Sequence, residues 1–192
     1  FLDVTRRMHQ AVNAPVSALS YQNKLHSHPD TKKNIVSEIA PGLVAIPVQH
    51  RANSSRSIEE AKKVLEIASQ QVKLVGASEV LIVAPYNAQV DLIRELLDAD
   101  NLQEVAVGTV DKFQGREAMV VIVSLAASSA LDAPRGLDFL LDRNRLNVAL
   151  SRAKANCYLV YSPHLTRSRF RDIEELKSIS RINGLLSYSR QI

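Results

Sequence analysis

The sequence predicts an α/β domain built on a mostly parallel sheet. Three observations carry that expectation. Apolar β-type runs recur, Val80 to Ala84 (VLIVA) and Ala118 to Leu125 (AMVVIVSL) foremost. Apolar residues at helical spacing stand between such runs, and the alternation continues through most of a 192-residue chain. Strands buried on both faces and separated by amphipathic helices make a parallel sheet with helices on both sides.

The elements follow in order. Pro15, Pro29, Pro41 and Pro47 interrupt residues 1–56, which read as an irregular arm with a short strand at Leu43 to Val48. Ser57 with Glu60 three residues on forms a capping box. Ile58, Ala61, Val64, Leu65, Ala68, Val72 and Val75 then repeat at helical spacing, predicting a helix over Ser57 to Val75. After the strand Val80 to Ala84, Val90, Ile93, Leu96 and Leu97 predict a second helix. Strands are expected at Glu104 to Val110, Ala118 to Leu125 and Asn156 to Tyr161, with a helix over Asn144 to Lys154. Ala126 to Asp142 is the longest loop, and beyond Pro163 one weakly amphipathic helix is expected near Ile173 to Ile182. The division is a single domain: arm 1–56, α/β core 57–162 and helical tail 163–192, with no internal repeat.

Composition narrows the function classes. With 46% hydrophobic and 23% charged residues, disorder, collagen and low complexity are excluded. The longest uncharged apolar stretch, Ala118 to Ala130, contains three serines and falls short of a membrane span, so no membrane partner is expected. Cys157 is the one cysteine, which excludes an internal disulfide and suits a reducing, cytoplasmic compartment. Position 1 is Phe with no leader pattern behind it, so the chain is expected to be a fragment of a larger protein. From Asp132 onward there are 11 Lys+Arg against 6 Asp+Glu, while residues 1–131 carry 13 against 14. Arg143, Arg145 and Arg152, then Arg167, Arg169 and Arg171, fit either an anionic partner or a solvated basic face.

Three polar segments adjoin the strands, where the carboxyl ends of a parallel sheet usually gather ligands. Ala84-Pro85-Tyr86-Asn87-Ala88-Gln89 ends a strand and opens a helix; Asn87 can cap it, and Tyr86 and Gln89 offer a ring and an amide. Taken alone it also reads as an ordinary strand-to-helix turn. Gly108 to Glu117 (GTVDKFQGRE) crowds polar residues between two strands, with Gly115 for a tight backbone and Arg116 and Glu117 as phosphate fork and hydroxyl acceptor. Asn144 to Lys154 (NRLNVALSRAK) places Leu146, Ala149, Leu150 and Ala153 on one helical stripe and Arg145 and Arg152 on a neighbouring one, with Lys154 at the surface. A fourth segment, Thr5-Arg6-Arg7-Met8-His9-Gln10, is by itself a basic, amphipathic opening.

In this order and spacing the four segments resemble the second motor domain of superfamily 1B helicases, over about residues 1–162. Thr5 to His9 is similar to motif IV, usually Gln-Tyr-Arg-Met-His-Pro, with Thr5, Arg6 and Gln10 departing from it. Ala84 to Gln89 is similar to the Thr-Pro-Tyr-x-x-Gln element, Gly108 to Glu117 to motif V and Asn144 to Lys154 to motif VI. The resemblance implies a RecA-like three-layer sandwich of the P-loop NTPase type, acting as the C-terminal lobe of an ATP-dependent DNA or RNA helicase. It further implies Arg152 and Arg7 as catalytic γ-phosphate ligands, with Arg152 the arginine finger. Glu117 would hold the ribose hydroxyl, with Gln114 and Gly115 at the nucleotide. Tyr86, Asn87, Gln89 and Thr109 would touch single-stranded DNA or RNA. Arg145 matches a motif position whose partner can be an acidic side chain.

No glycine is followed by Lys-Ser or Lys-Thr, and no apolar strand ends in Asp-Glu. By the resemblance, ATP with Mg²⁺ would bind between this lobe and an N-terminal RecA-like domain of the same polypeptide, leaving the fragment alone inactive. A lobe of a helicase-nuclease or translocase, or a non-catalytic interaction module, are the alternatives. His26 and His28 lack the further ligands of a metal site, so no metal site is expected in the chain; Cys157 reads as a core residue and Phe113 as a packing anchor.

Overall fold

The structure is a computed structural model that describes residues 3–113, 115–167, 170 and 172–191. Chain order is β1 (Val4–Thr5), α1 (Gln10–Ser20), β2 (His26–Ser27), β3 (Gly42–Pro47), α2 (Ile58–Val75), β4 (Val80–Val83), α3 (Asn87–Ala99) and β5 (Ala106–Gly108). It continues with β6 (Ala118–Ser124), α4 (Gly136–Leu140), α5 (Arg143–Leu150), β7 (Ala153–Tyr161), α6 (Pro163–Thr166), α7 (Ile173–Ser187) and β8 (Arg190–Gln191).

Every described pairing in the main sheet is parallel, in the order β5-β4-β6-β7-β3-β8. Period-two alternation sends neighbouring residues of one strand to opposite layers. Leu81, Val83, Val121 and Val123 join one core with α1, α5 and α7, while Val80, Ile82, Val120 and Ile122 join the other with α2 and α3. The apolar run of β6 is thus explained by burial on both faces, giving the RecA-like three-layer arrangement.

The expected irregular arm is corrected. Residues 10–20 form α1 despite Pro15 at its sixth position. An interior proline costs roughly 3 kcal/mol, whereas fully burying Val12 and Val16 returns about 1.5–3 kcal/mol each. Tertiary packing therefore outweighs the local penalty. β3, also from this region, lies between β7 and β8 and is part of the core.

The helix expected to reach Lys154 ends at Leu150. Ala153 already pairs with Ala118 in the sheet, and the Arg152 carbonyl accepts from the Ala118 amide at 3.1 Å. Arg145 and Arg152 consequently do not share a helix face. The tail helix is longer than expected, running to Ser187. Among the clustered C-terminal arginines, Arg169 and Arg171 lie outside the described residues.

Candidate functional site

The polar segments do not all meet at the carboxyl ends of the strands. Tyr86, Asn87 and Thr109 follow β4 and β5 and stand at that edge, but Glu117 immediately precedes β6 and Arg152 immediately precedes β7. In a parallel sheet these positions are at the opposite, amino edge. A 3₁₀ turn at Val110–Phe113, anchored by the buried Phe113 ring, carries the chain back across the molecule. One ten-residue segment thereby serves both edges.

At the amino edge, segments far apart in sequence converge on Glu117. Arg7 Nε donates to Glu117 Oε2 at 2.7 Å and Arg7 Nη1 to the Ser151 carbonyl at 3.1 Å. Lys154 Nζ lies 3.2 Å from Glu117 Oε1. The Arg7 hydrogen bond, aided by Lys154, holds the Glu117 carboxyl below the usual carboxylate range against partial desolvation. Arg152 Nη1 donates to the Arg116 carbonyl at 3.4 Å, while its buried Nε has no hydrogen-bond partner among the described residues. Desolvation, then the like charge of Arg7, lowers the Arg152 pKa, though a guanidinium stays charged at neutral pH.

Three cations thus surround one carboxylate, beside an open groove of about 440 Å³ lined by Arg7, Glu117 and Ser151. The local excess of positive charge and the free Nε donor suit a polyphosphate. Lys154, expected at the surface, also pairs with Glu117 and belongs to the cluster; its signal was a position two residues past Arg152. Gly115, at φ +82°, occupies the exposed turn just before Glu117. Gln114 lies outside the described residues.

Arg7 is held by its backbone. Its amide donates to Thr5 Oγ1 at 3.2 Å, Asn34 Nδ2 donates to its carbonyl at 2.6 Å, and the His9 amide donates to the Lys154 carbonyl at 2.8 Å. β1 and β2 pair in parallel beside it. The arm is therefore a built mount for Arg7, and Thr5, which departs from the motif, caps the turn.

At the carboxyl edge the structure makes three corrections. Gln89 is fully buried: its Oε1 accepts from the Ser57 amide at 2.7 Å, and its Nε2 donates to the Ser57 carbonyl at 3.1 Å and Ser124 Oγ at 3.0 Å. It fastens α3 to α2 and β6 and cannot touch a strand. The helix cap is Tyr86, with no side-chain capping bond, and Asn87 is the exposed first helical residue. The Tyr86 ring is only 8% exposed and packs against Phe139, centroids 5.8 Å apart, so it offers no open stacking face.

Arg145, by contrast, has an acidic neighbour, Asp111, at 3.9 Å, and its guanidinium lies 4.4 Å from the Phe139 centroid. A cleft of about 420 Å³ joins Tyr86, Asn87, Thr109, Asp111, Arg135 and Arg145.

Sequence reasoning missed the support beneath this edge. Ser57 does cap α2, its Oγ accepting from the Glu60 amide at 3.2 Å, but the Glu60 side chain does not return the bond. Its Oε1 meets His50 Nε2 at 2.9 Å, and its Oε2 accepts from Ser124 Oγ at 2.7 Å and the Ala126 amide at 2.9 Å. His50 Nδ1 meets Ser128 Oγ at 2.7 Å. All of these side chains are buried, so the network is structural, and no local pattern distinguishes an inward Glu from an exposed cap partner.

His28 caps a 3₁₀ turn. Among the described residues no group of three or more His, Cys, Asp or Glu could hold a metal ion, and no helix is long and apolar enough to cross a membrane.

A family profile described as "AAA domain" matches residues 1–164. An uncharacterized ATP-dependent helicase of Methanocaldococcus jannaschii is 30% identical over 187 residues, covering 86% of this chain and 27% of that protein. The DNA polymerase alpha-associated DNA helicase A of Schizosaccharomyces pombe is 29% identical over 184 residues, covering 83% of this chain and 27% of that protein. The chain thus spans about a quarter of the length of these relatives. The solved C-terminal domain of a possible DNA helicase from Lactobacillus plantarum superposes with a TM-score of 0.54 at 15% identity, covering 97% of this chain and 98% of that one. That likeness concerns the fold.

Proposed function

The chain belongs to the AAA domain family, as a superfamily 1 helicase domain, and from that premise we propose that it is the C-terminal motor lobe of an ATP-dependent nucleic-acid helicase. The observation that carries this reading is the convergence of Arg7, Glu117 and Arg152, from three separate segments, at one phosphate-competent edge.

ATP would supply the reactive γ-phosphoryl group, and its Mg²⁺ would be held on the side of an N-terminal lobe, since the one carboxylate of this cluster is already engaged by two cations. Arg152 acts as the arginine finger: its free Nε and guanidinium fork meet the charge that develops on the γ-phosphate oxygens. Arg7 is the second phosphate ligand, and Glu117 takes the ribose hydroxyl once Arg7 turns to phosphate. Gly115, and Gln114 by the motif, border the nucleotide. Asn87 and Thr109 at the opposite edge face single-stranded DNA or RNA. Drawing the two arginines onto phosphate closes the lobes, and loss of the γ-phosphoryl group releases them, so closure moves this lobe along the strand.

The test is ATPase activity of the full-length protein with and without single-stranded DNA or RNA. Arg152→Ala is expected to lower turnover about 10³-fold or more, the usual worth of an arginine finger, while sparing most nucleotide binding. Near-normal turnover in that variant would overturn the assignment.

A further inference from the structure

We propose that Asn34 and Ser27 are positioning residues for Arg7, fixing its backbone so that the guanidinium meets phosphate in one place once it has left Glu117. The inference rests on the reading of Arg7 as a phosphate ligand and deepens it. Both residues belong to the stretch between α1 and β3, which none of the four motif segments includes.

Three successive residues, Arg7 to His9, are fastened from three different places. Asn34 Nδ2 donates to the Arg7 carbonyl at 2.6 Å, Ser27 Oγ donates to the Met8 carbonyl at 2.9 Å, and the His9 amide donates to the Lys154 carbonyl at 2.8 Å. The third bond joins backbone to backbone and does not depend on which side chains stand there. The first two are made by side chains, so the residues at positions 27 and 34 decide whether they exist.

The two donors are themselves anchored. Ser27 lies in β2 and pairs in register with Thr5, whose carbonyl accepts from the His28 amide at 2.8 Å. Asn34 follows the 3₁₀ turn Pro29–Lys33. There the buried Thr31 gives its hydroxyl to the His28 carbonyl at 2.7 Å, and its own carbonyl accepts from the Asn34 amide at 3.0 Å. Two residues past Asn34, Val36 is buried in the core shared with α2 and α3. Asn34 is thus fixed on both sides along the chain, and its amide is a rigid post.

The backbone matters because the other holds on Arg7 are side-chain contacts. At rest its Nε is on Glu117 and its Nη1 on the Ser151 carbonyl, and a phosphate ligand has to give up the first. From then on the guanidinium hangs on a long side chain whose direction is set at the Arg7 backbone. Without its donor the Arg7 carbonyl turns to water, and the peptide plane beside the Arg7 Cα turns with it. A misplacement on the order of 1 Å at a reacting centre can cost about 10²-fold in rate.

The experiment is steady-state ATPase kinetics of the full-length protein, with thermal unfolding as a fold control. Asn34→Asp keeps the shape but turns a carboxylate oxygen towards a carbonyl that needs a donor, and Asn34→Ala removes the post. Each is expected to lower kcat about tenfold, a partial displacement on the same scale, with KM for ATP changed less than about twofold. Ser27→Ala is expected to lower kcat about threefold, whereas Ser27→Thr, which retains the hydroxyl, keeps the parent's rate. In an Arg7→Ala background, Asn34→Ala is expected to change the remaining turnover less than about twofold, because two residues acting through one side chain are not additive. Parent-like kcat in both Asn34 variants, or an undiminished loss in the Arg7→Ala background, would overturn the proposal and leave the reading of Arg7 standing. Parent-like turnover in Arg7→Ala itself would overturn both. Should the Asn34 variants lose their thermal transition, the Ser27 pair decides: a slow Ala variant beside a parent-like Thr variant supports positioning, and equal rates overturn it.

Discussion

Arg7 and Glu117, 110 residues apart, share a 2.7 Å hydrogen bond between Nε and Oε2. The bond joins the arm to the segment preceding β6, and the Arg7 contact to the Ser151 carbonyl extends it to the turn before β7. Glu117 therefore competes with any phosphate for the same guanidinium. The pair is partly exposed, with side-chain accessibilities of 31% and 42%, so its worth is about 0–1 kcal/mol after solvent screening.

Glu117→Gln keeps the shape and removes the competing charge. Tripolyphosphate, which has no ribose, is expected to bind the variant up to about fivefold more tightly, in proportion to that energy. ATP turnover is expected to fall because the ribose acceptor is weakened. Calorimetry with tripolyphosphate checks the first half, and equal affinity for parent and variant would remove Glu117 as a competitor.

The same pair gives a pH dependence of known sign. The folded Glu117 carboxyl titrates below its ordinary range because of Arg7 first, with Lys154 assisting. Its stabilising contribution is present above the ordinary glutamate pKa and disappears as pH falls through the depressed folded value. An NMR titration following the Arg7 Nε–H signal is expected to show the bond intact at pH 5 and lost only at more acidic pH. A midpoint above the ordinary glutamate value would contradict the assignment.

Gln89 and Asn87 separate structure from contact two residues apart. Gln89→Ala strands the Ser57 amide, removes a donor from the Ser124 hydroxyl and opens a small void, so a loss of about 2–4 kcal/mol is expected in urea unfolding. Asn87→Ala, on the exposed first turn of α3, is expected to stay within about 0.5 kcal/mol.

Cys157 is buried in β7 with its thiol pushed up to about 12 by desolvation. Only the thiolate reacts readily. A thiol reagent at pH 8 is expected to label the native protein no faster than the protein unfolds, and fast labelling would contradict the burial.

The alternation of apolar runs and helical stripes was sufficient for the architecture, because strands buried on both faces leave no room for polar residues and amphipathic helices must cover them. Val80–Val83, Ala118–Ser124 and Ile58–Val75 lie close to where periodicity places them. α1 was not legible, since its proline argues against helix locally and only the sheet beneath Val12 and Val16 outweighs it.

The motif residues were legible as types but not as places. Sequence alone determined that Arg7, Glu117, Arg152 and Tyr86 stand out. Tertiary structure decided that the first three meet at the amino edge while Tyr86 faces the cleft at the other. It turned Gln89 and Glu60 inward, recruited Lys154 and exposed Arg135 on its aromatic rest. The physical reason is that spacing records distance along the chain, whereas hydrogen bonding and charge act across space, and only packing sets which side chain finds which partner.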